Sequence, residues 1–488
     1  MAKLETSTLD LHPNSISIHN NNEFGLVKTR NGNRLAILSK EITADFEGEQ
    51  SEFAGSELRL CPLTSKNAMI LREQLAWLYP SLIGLKTSVG MGDRLGLATP
   101  GHIRALRAVG GSIAPIFAQQ SIRENRRTGR NPQQVLDDVT WGMFQEGWRG
   151  GTGADADHLK TTEDIDSCLE AGYSFFTIDP GDHVDNRAEH SDLNLLRELA
   201  EQLPDDMLPI NSVLKGSIHK IEDLTIAFDE FTLLKAAVKY GKAVHHVANM
   251  YHYLKSAAGS KPFEFEVSVD ETDEPTTHAE HVYIAHELKR MGVDWVSMAP
   301  RYIGSFEKGV DYIGDIHEFE NSFSGHAAIA RKFGPYKLSL HSGSDKFSIY
   351  PIAMRLTKGL VHLKTAGTSY LEALRTIANH ETDLFREIYR FARGCYEIDR
   401  LSYHVSAEVD RSPQAYELQD PIELLDQFDE REILHVTFGS VLNEMDDDHQ
   451  PRFYSRLMDC LKNNSDEYAS NLTRHFVRHI RPFISKEG

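Results

Sequence analysis

The sequence predicts an α/β fold: a (β/α)8 TIM-type barrel with an N-terminal β-containing addition, a helical insertion after strand four and a helical C-terminal extension. Three observations carry that expectation. Eight strand-like segments alternate with helical ones, which implies parallel strands, and eight favours closure into a barrel. Within them apolar and polar residues alternate. Leu338 and Leu340 stand against Lys337, Ser339 and His341, a pattern that sends apolar side chains to outer helices and polar ones to a lumen. The segments also end in polar, glycine-bearing loops dense in ionisable groups, where barrels of this kind place their chemistry.

Residues 1–82 read as the N-terminal addition. GLVKT-RNGN-RLAILS is a hairpin with its turn at Asn31-Gly32 or Asn33. The acidic stretch 45–57 reads as a loop, and 65–82 as a helix stopped at Tyr79-Pro80. The barrel occupies 83–375, with strands expected at 83–89, 112–119, 148–158, 173–179, 263–270, 293–300, 336–341 and 360–366. Between strands four and five, 186–260 is oversized and reads as an elaboration over the barrel holding at least two helices, the longer from Ile221 to Ala258. Residues 376–488 read as mostly helical.

Length and charge narrow the function. The chain of 488 residues suits a barrel of about 250 residues plus additions. No run of about 18 apolar residues exists, and the N-terminus lacks an apolar signal region, so neither a membrane span nor secretion is expected. Four widely spaced cysteines without a CxxC fit reduced thiols in the cytoplasm. A net charge of −20 argues against nucleic acid but not against a small anionic substrate held by local cations. A homo-oligomer is compatible with the sequence.

The chemistry gathers at the strand ends. Glu266 lies mid-strand on the polar face, with Glu264 and Asp270 on the same side, and a lumen carboxylate needs a partner. A divalent metal is one such partner; an ion pair with Lys86 or Lys364 is the other. His341 lies two strands away at a similar depth, and carboxylate plus imidazole suits Mn, Zn, Co, Ni or Fe. His362, Asp179, His183 and His158 compete for the third ligand position. Lys364 has ionic neighbours, which favours a charged ammonium facing a substrate oxyanion over a Schiff-base lysine. Asp157, Asp179 and His183 are the candidate proton carriers. The loop GMGDRLG has the wrong glycine spacing for a dinucleotide and reads instead as a substrate loop with Arg94. His245, Asn249 and His252 share a helical face, a spacing too common to carry a metal reading.

The segments GLKTSVGMGDRLGLATPGH (84–102), GADADHLKT (153–161), FTIDPGDHVDN (176–186), FEVSVDETDEPTT (265–277), LHSGSDKFSIYP (340–351) and HLKTAGT (362–368) together resemble the tagaturonate epimerase family of hexuronate catabolism. The resemblance implies metal-dependent interconversion of D-tagaturonate and D-fructuronate, with neutral ketohexoses as further substrates. In ketose numbering this inverts C4, whose hydrogen is not acidic. The route implied is retro-aldol cleavage of C3–C4, with a metal on the C2 carbonyl and C3 hydroxyl, then closure on the other face. The residues themselves point to Glu266 and His341, with His362 or a strand-four group, as the metal ligands. On that reading Asp179, His183 and Asp157 carry protons. Arg94, Lys364, Ser342 and Lys346 bind the substrate. The rivals are a metal-dependent sugar-acid aldolase or isomerase, and an inactive uronate-binding protein.

Overall fold

The computed structural model describes residues 3–6, 9–30, 32–39, 45–53, 55–414 and 420–484. Eight parallel strands close a barrel: β1 (Ser88–Gly90), β2 (Ala114–Ser121), β3 (Gly153–Leu159), β4 (Phe175–Ile178), β5 (Glu264–Val269), β6 (Ser297–Pro300), β7 (Lys337–Leu340) and β8 (Val361–Lys364). The ring closes where His362 of β8 stands opposite Ser88 of β1. Every expected strand is present, and the alternation has the predicted sense. Leu338 and Leu340 are buried in the apolar core, while Lys337 reaches the lumen-facing Ser88 hydroxyl at 2.9 Å.

β1 starts five residues later than the sequence suggests. Glu264 explains the shift. Its carboxylate accepts the backbone N–H of Ile83 (2.9 Å) and of Gly84, so this stretch seals the barrel floor instead of joining the ladder. The outer helices follow local signals. Thr161 and Asp164 form a capping box at the start of helix Thr162–Ala171, which ends at left-handed Gly172. Thr277 and Glu280 do the same for helix His278–Arg290.

The expected N-terminal hairpin is Asn22–Thr29 against Gly32–Ser39, with Thr29 opposite Gly32; Asn31 of its turn lies outside the described residues. It belongs to a five-stranded antiparallel sheet. The acidic stretch expected as a loop is part of that sheet: Glu49–Phe53 pairs with Ser56–Cys61. Its exposure is the reason the sequence misleads, because an edge strand exposed on both faces shows no apolar alternation.

The region after β4 also differs. The long helix starts at Glu230, capped by Asp229, and is preceded by a small hairpin, Ile218–Ile221 with Leu224–Ala227. That helix, Glu230–Ala258, packs between helices 162–171 and 278–290. It is therefore the barrel's own crossover between β4 and β5, and not an elaboration above it. His252 from its expected polar face bonds the Met291 carbonyl, and His245 pairs with Asp206.

C-terminal helices wrap the same barrel. Helix Ser465–Ile480 lies along helix Thr99–Val109, and one buried apolar cluster runs from Phe24 to Phe483. No described helix is long and apolar enough to cross a membrane.

Candidate active site

The lumen holds a buried ionic lattice around Lys364. Its ammonium lies 2.8 Å from Asp155 Oδ2, 2.6 Å from Asp157 Oδ1, 2.7 Å from Glu266 Oε1 and 2.8 Å from Thr177 Oγ1. Burial works against the ammonium, but three carboxylates outweigh it and hold its pKa well above the ordinary lysine value. Burial pushes Asp155 up to about 6, with Asp157 and Glu266 adding repulsion and Lys364 only partly offsetting it. Lys364 is thus committed to protein carboxylates.

Above this lattice, two imidazoles converge on one carboxylate. Glu266 Oε1 lies 2.8 Å from His341 Nε2, and His341 Nδ1 lies 3.2 Å from Asp270 Oδ1. Asp157 Oδ1 lies 2.7 Å from His158 Nδ1, and His158 Nε2 lies 4.0 Å from the same Asp270 Oδ1. Two imidazoles are each pinned by a carboxylate on one nitrogen and present the other toward Asp270. Donor atoms of His158, Asp270 and His341 all fall within 4.8 Å of one another. Imidazoles oriented by carboxylates are the usual surroundings of metal-ligating histidines. Two nitrogens and one oxygen suit a first-row divalent metal and leave further positions open. The residues fit a metal. Burial favours the neutral imidazole, yet Asp157 outweighs it and raises His158 to about 10. Against the same burial, Asp270 and Glu266 raise His341. This corner of the site is strongly suited to positive charge.

His158 reaches this corner by a backbone irregularity. Neighbouring strand residues point to opposite faces. Here His158 has φ of 55° and the β3–β4 register slips between Ala156 and Leu159, so Asp157 and His158 serve one site. Alternation alone does not send His158 inward, although the density of ionisable groups at this strand end makes it a candidate ligand. Asp270, one residue past β5, takes a short hydrogen bond from Ser268.

The other sequence-derived candidates divide. Glu266 is in the cluster, but its Oε1 is shared by His341 and Lys364. His362 is not brought to the His158–Asp270–His341 group. It lies two residues below Lys364 on β8, its Nδ1 2.9 Å from Ser88 Oγ and its ring 5.7 Å from Phe175. Burial lowers its pKa to about 3. Asp179 stands beside His158, with Oδ1 accepting Gly181 N–H and Oδ2 3.5 Å from Lys160. Burial raises its pKa, with His158 opposing. His183 is exposed and stacks on His246 at 4.1 Å.

Arg94 and Lys346 are engaged by other groups of the protein. The Arg94 guanidinium is held by Glu124 (2.8 Å) and the His435 carbonyl (2.9 Å) and lies 3.5 Å from the centre of the Phe438 ring. Lys346 donates to the carbonyls of Glu307, Val310 and Ser344. The loops after β7 and β8 are docked by the C-terminal extension. Asp345, His475 and His479 form a second close group there. Two of its three members are already engaged: His479 Nε2 accepts Asp345 N–H at 2.9 Å, and Arg431 pairs with Asp345 at 3.0 Å. We read it as a staple between β7 and the last helix.

Ser342 does face open space. A cavity of about 340 Å³ is lined by Asp270, His341, Ser342, Arg301, Lys308 and Tyr403, among others. Two of its walls were not singled out from sequence. One is the loop after β6 with Lys308. The other is the strap Ser402–His404, clamped where Arg127 bonds Ser402 (2.7 Å) and the Tyr403 hydroxyl.

Residues 12–483 match the family described as tagaturonate epimerase. The chain is 42% identical over 462 residues to a tagaturonate/fructuronate epimerase of Thermotoga maritima, covering 94% of this chain and 93% of that one. A glycerol-bound crystal structure of a fructuronate-tagaturonate epimerase from Cohnella laeviribosi superposes with a TM-score of 0.92 at 34% identity, over 98% of this chain and 97% of that one. The native crystal structure of the same enzyme gives 0.91.

Proposed function

The chain belongs to the tagaturonate epimerase family and is an isomerase; from that premise we propose that it interconverts D-tagaturonate and D-fructuronate at a divalent metal held by His158, Asp270 and His341. The observation that carries the metal assignment is the pair of carboxylate-pinned imidazoles converging on Asp270 Oδ1. When bound, such a metal supplies a Lewis acid that polarises the ketone and steadies the negative charge left by carbon–carbon cleavage. The rest falls to the chain's own residues.

Inversion at C4 without an acidic hydrogen calls for breaking and remaking C3–C4, so a base must take the C4 hydroxyl proton. Asp179 is suited to that task. It is buried beside His158 and its pKa is raised by that burial, which brings a carboxylate nearer to neutrality. Asp157 is tied to His158, Lys364 and Gln119, which makes it a positioning residue. Glu266 has the matching role on His341, and Lys364 balances the carboxylates that do this positioning.

Chelator-treated protein should leave D-tagaturonate unchanged and regain epimerisation with Mn, Co, Ni or Zn, followed by the stereochemistry at C4. Activity that survives complete metal removal would overturn the metal assignment. Free three-carbon products would point to an aldolase instead.

The pH profile tests Asp179. A base must be deprotonated to act, so kcat/KM should fall as pH drops through its raised pKa. The acid limb is expected above the ordinary carboxylate value. Asp179→Asn should lower kcat by roughly 10²–10⁴-fold and abolish that limb. An unaltered limb in the variant assigns the base to another group.

A further inference from the structure

Most buried cations of the barrel mouth are spoken for. Lys364 has its three carboxylates, Arg94 has Glu124, and Lys346 has three carbonyls. Lys308 is different. It is half-buried on the loop after β6, and its ammonium donates to Ser342 Oγ at 2.7 Å. Among the described residues no carboxylate lies within 4.0 Å of it. Burial, with Arg123 and Arg94 nearby, holds its pKa below the ordinary lysine value. A partly buried cation with no carboxylate in contact favours the arrival of an anion. Lys308 and Ser342 line the cavity that Asp270 and His341 also line.

Of the neighbouring cations, Arg123 lies 3.5 Å from Glu271 and 5.7 Å from the centre of the Tyr403 ring, while Arg301, like Lys308 without a carboxylate within 4.0 Å among the described residues, is held by the Thr272 carbonyl. The cavity, about 340 Å³, is of a size for a six-carbon acid.

We infer that Lys308, braced by Ser342, holds the substrate's terminal carboxylate and is the residue that selects a hexuronate over the neutral ketohexose of the same shape. The inference rests on the epimerase reading above. It also gives the carboxylate a task during the reaction. When C3–C4 breaks, its electron pair stays with the C1–C3 fragment as an enediolate, and the C4 hydroxyl proton passes to the base. The C4–C6 fragment becomes an aldehyde that still carries the carboxylate. Anchored at Lys308, that fragment turns its other face to the enediolate without leaving. The bond reforms as the electron pair returns to C4 and the C4 oxygen regains its proton.

The test compares the wild type with Lys308→Met and Lys308→Arg as metal-loaded full-length proteins. It measures kcat and KM for D-tagaturonate, the inhibition constant of D-tagatose against it, and release of the three-carbon aldehyde acid. Lys308→Met should lose about a hundredfold or more in kcat/KM, chiefly through KM, with more fragment released per turnover. The D-tagatose inhibition constant should shift less than threefold, and Lys308→Arg should recover most of the loss. Lys308→Gln serves the same test should methionine disturb folding. Equal losses for acid and neutral sugar, or uronate kcat/KM within threefold of wild type, overturn the inference while leaving the epimerase standing. A wild type that leaves D-tagaturonate untouched with every metal overturns the parent reading and this inference with it.

Discussion

Asp270→Ala is expected to lose bound metal and to lower kcat/KM by about a thousandfold. That exceeds the roughly 10–100-fold that follows loss of an outer-shell partner. Among the described residues, Asp270 is the one carboxylate faced by the free nitrogens of both pinned imidazoles, at 3.2 and 4.0 Å. Without it, two histidines remain with no anionic donor between them. Metal content should therefore fall along with activity. The contrast with Glu266→Gln is informative. Its Oε1 is taken up by His341 and Lys364, so the amide should weaken metal binding without abolishing it. The opposite result, with metal retained in Asp270→Ala and lost in Glu266→Gln, would return the ligand role to Glu266.

Lys364→Met should destabilise the fold by about 3–5 kcal/mol, because removing one partner leaves buried charges unpaired. For a chain of 488 residues that is a fall in Tm of about 3–5 °C. Asp155, Asp157 and Glu266 all depend on this ammonium. In the variant these carboxyls should bind protons more readily folded than unfolded. A group with a raised folded pKa stabilises below its unfolded pKa and loses that contribution as pH rises through the folded value. The deficit should thus be larger at pH 8 than at pH 5. A variant as stable as the wild type at both pH values would show that the lattice does not depend on Lys364.

The barrel was legible because strand alternation is a local property. Leu338 and Leu340 face outward for the same reason that Lys337 and His341 face inward, and neither needs a distant partner to say so. Glu266, His341, Asp157 and Lys364 were found by the same logic and do meet in the lumen. Capping residues such as Thr161 and Thr277 were also readable at short range.

What the sequence left open depends on partners far along the chain. Arg94 looked like a substrate ligand until Glu124 and Phe438 took its charge and its face. Lys346 looked free until three carbonyls closed around it. His158 points the wrong way on a regular strand, and only its positive φ brings it to Asp270. The cavity wall at Ser402–His404 comes from a segment more than 60 residues beyond His341, clamped there by Arg127. The sequence by itself determined which side chains of the regular strands face the lumen, because strand periodicity is set residue by residue. Only the tertiary structure decided which of the charged groups are already neutralised by one another, because burial and distance fix that, and neither is written in local order.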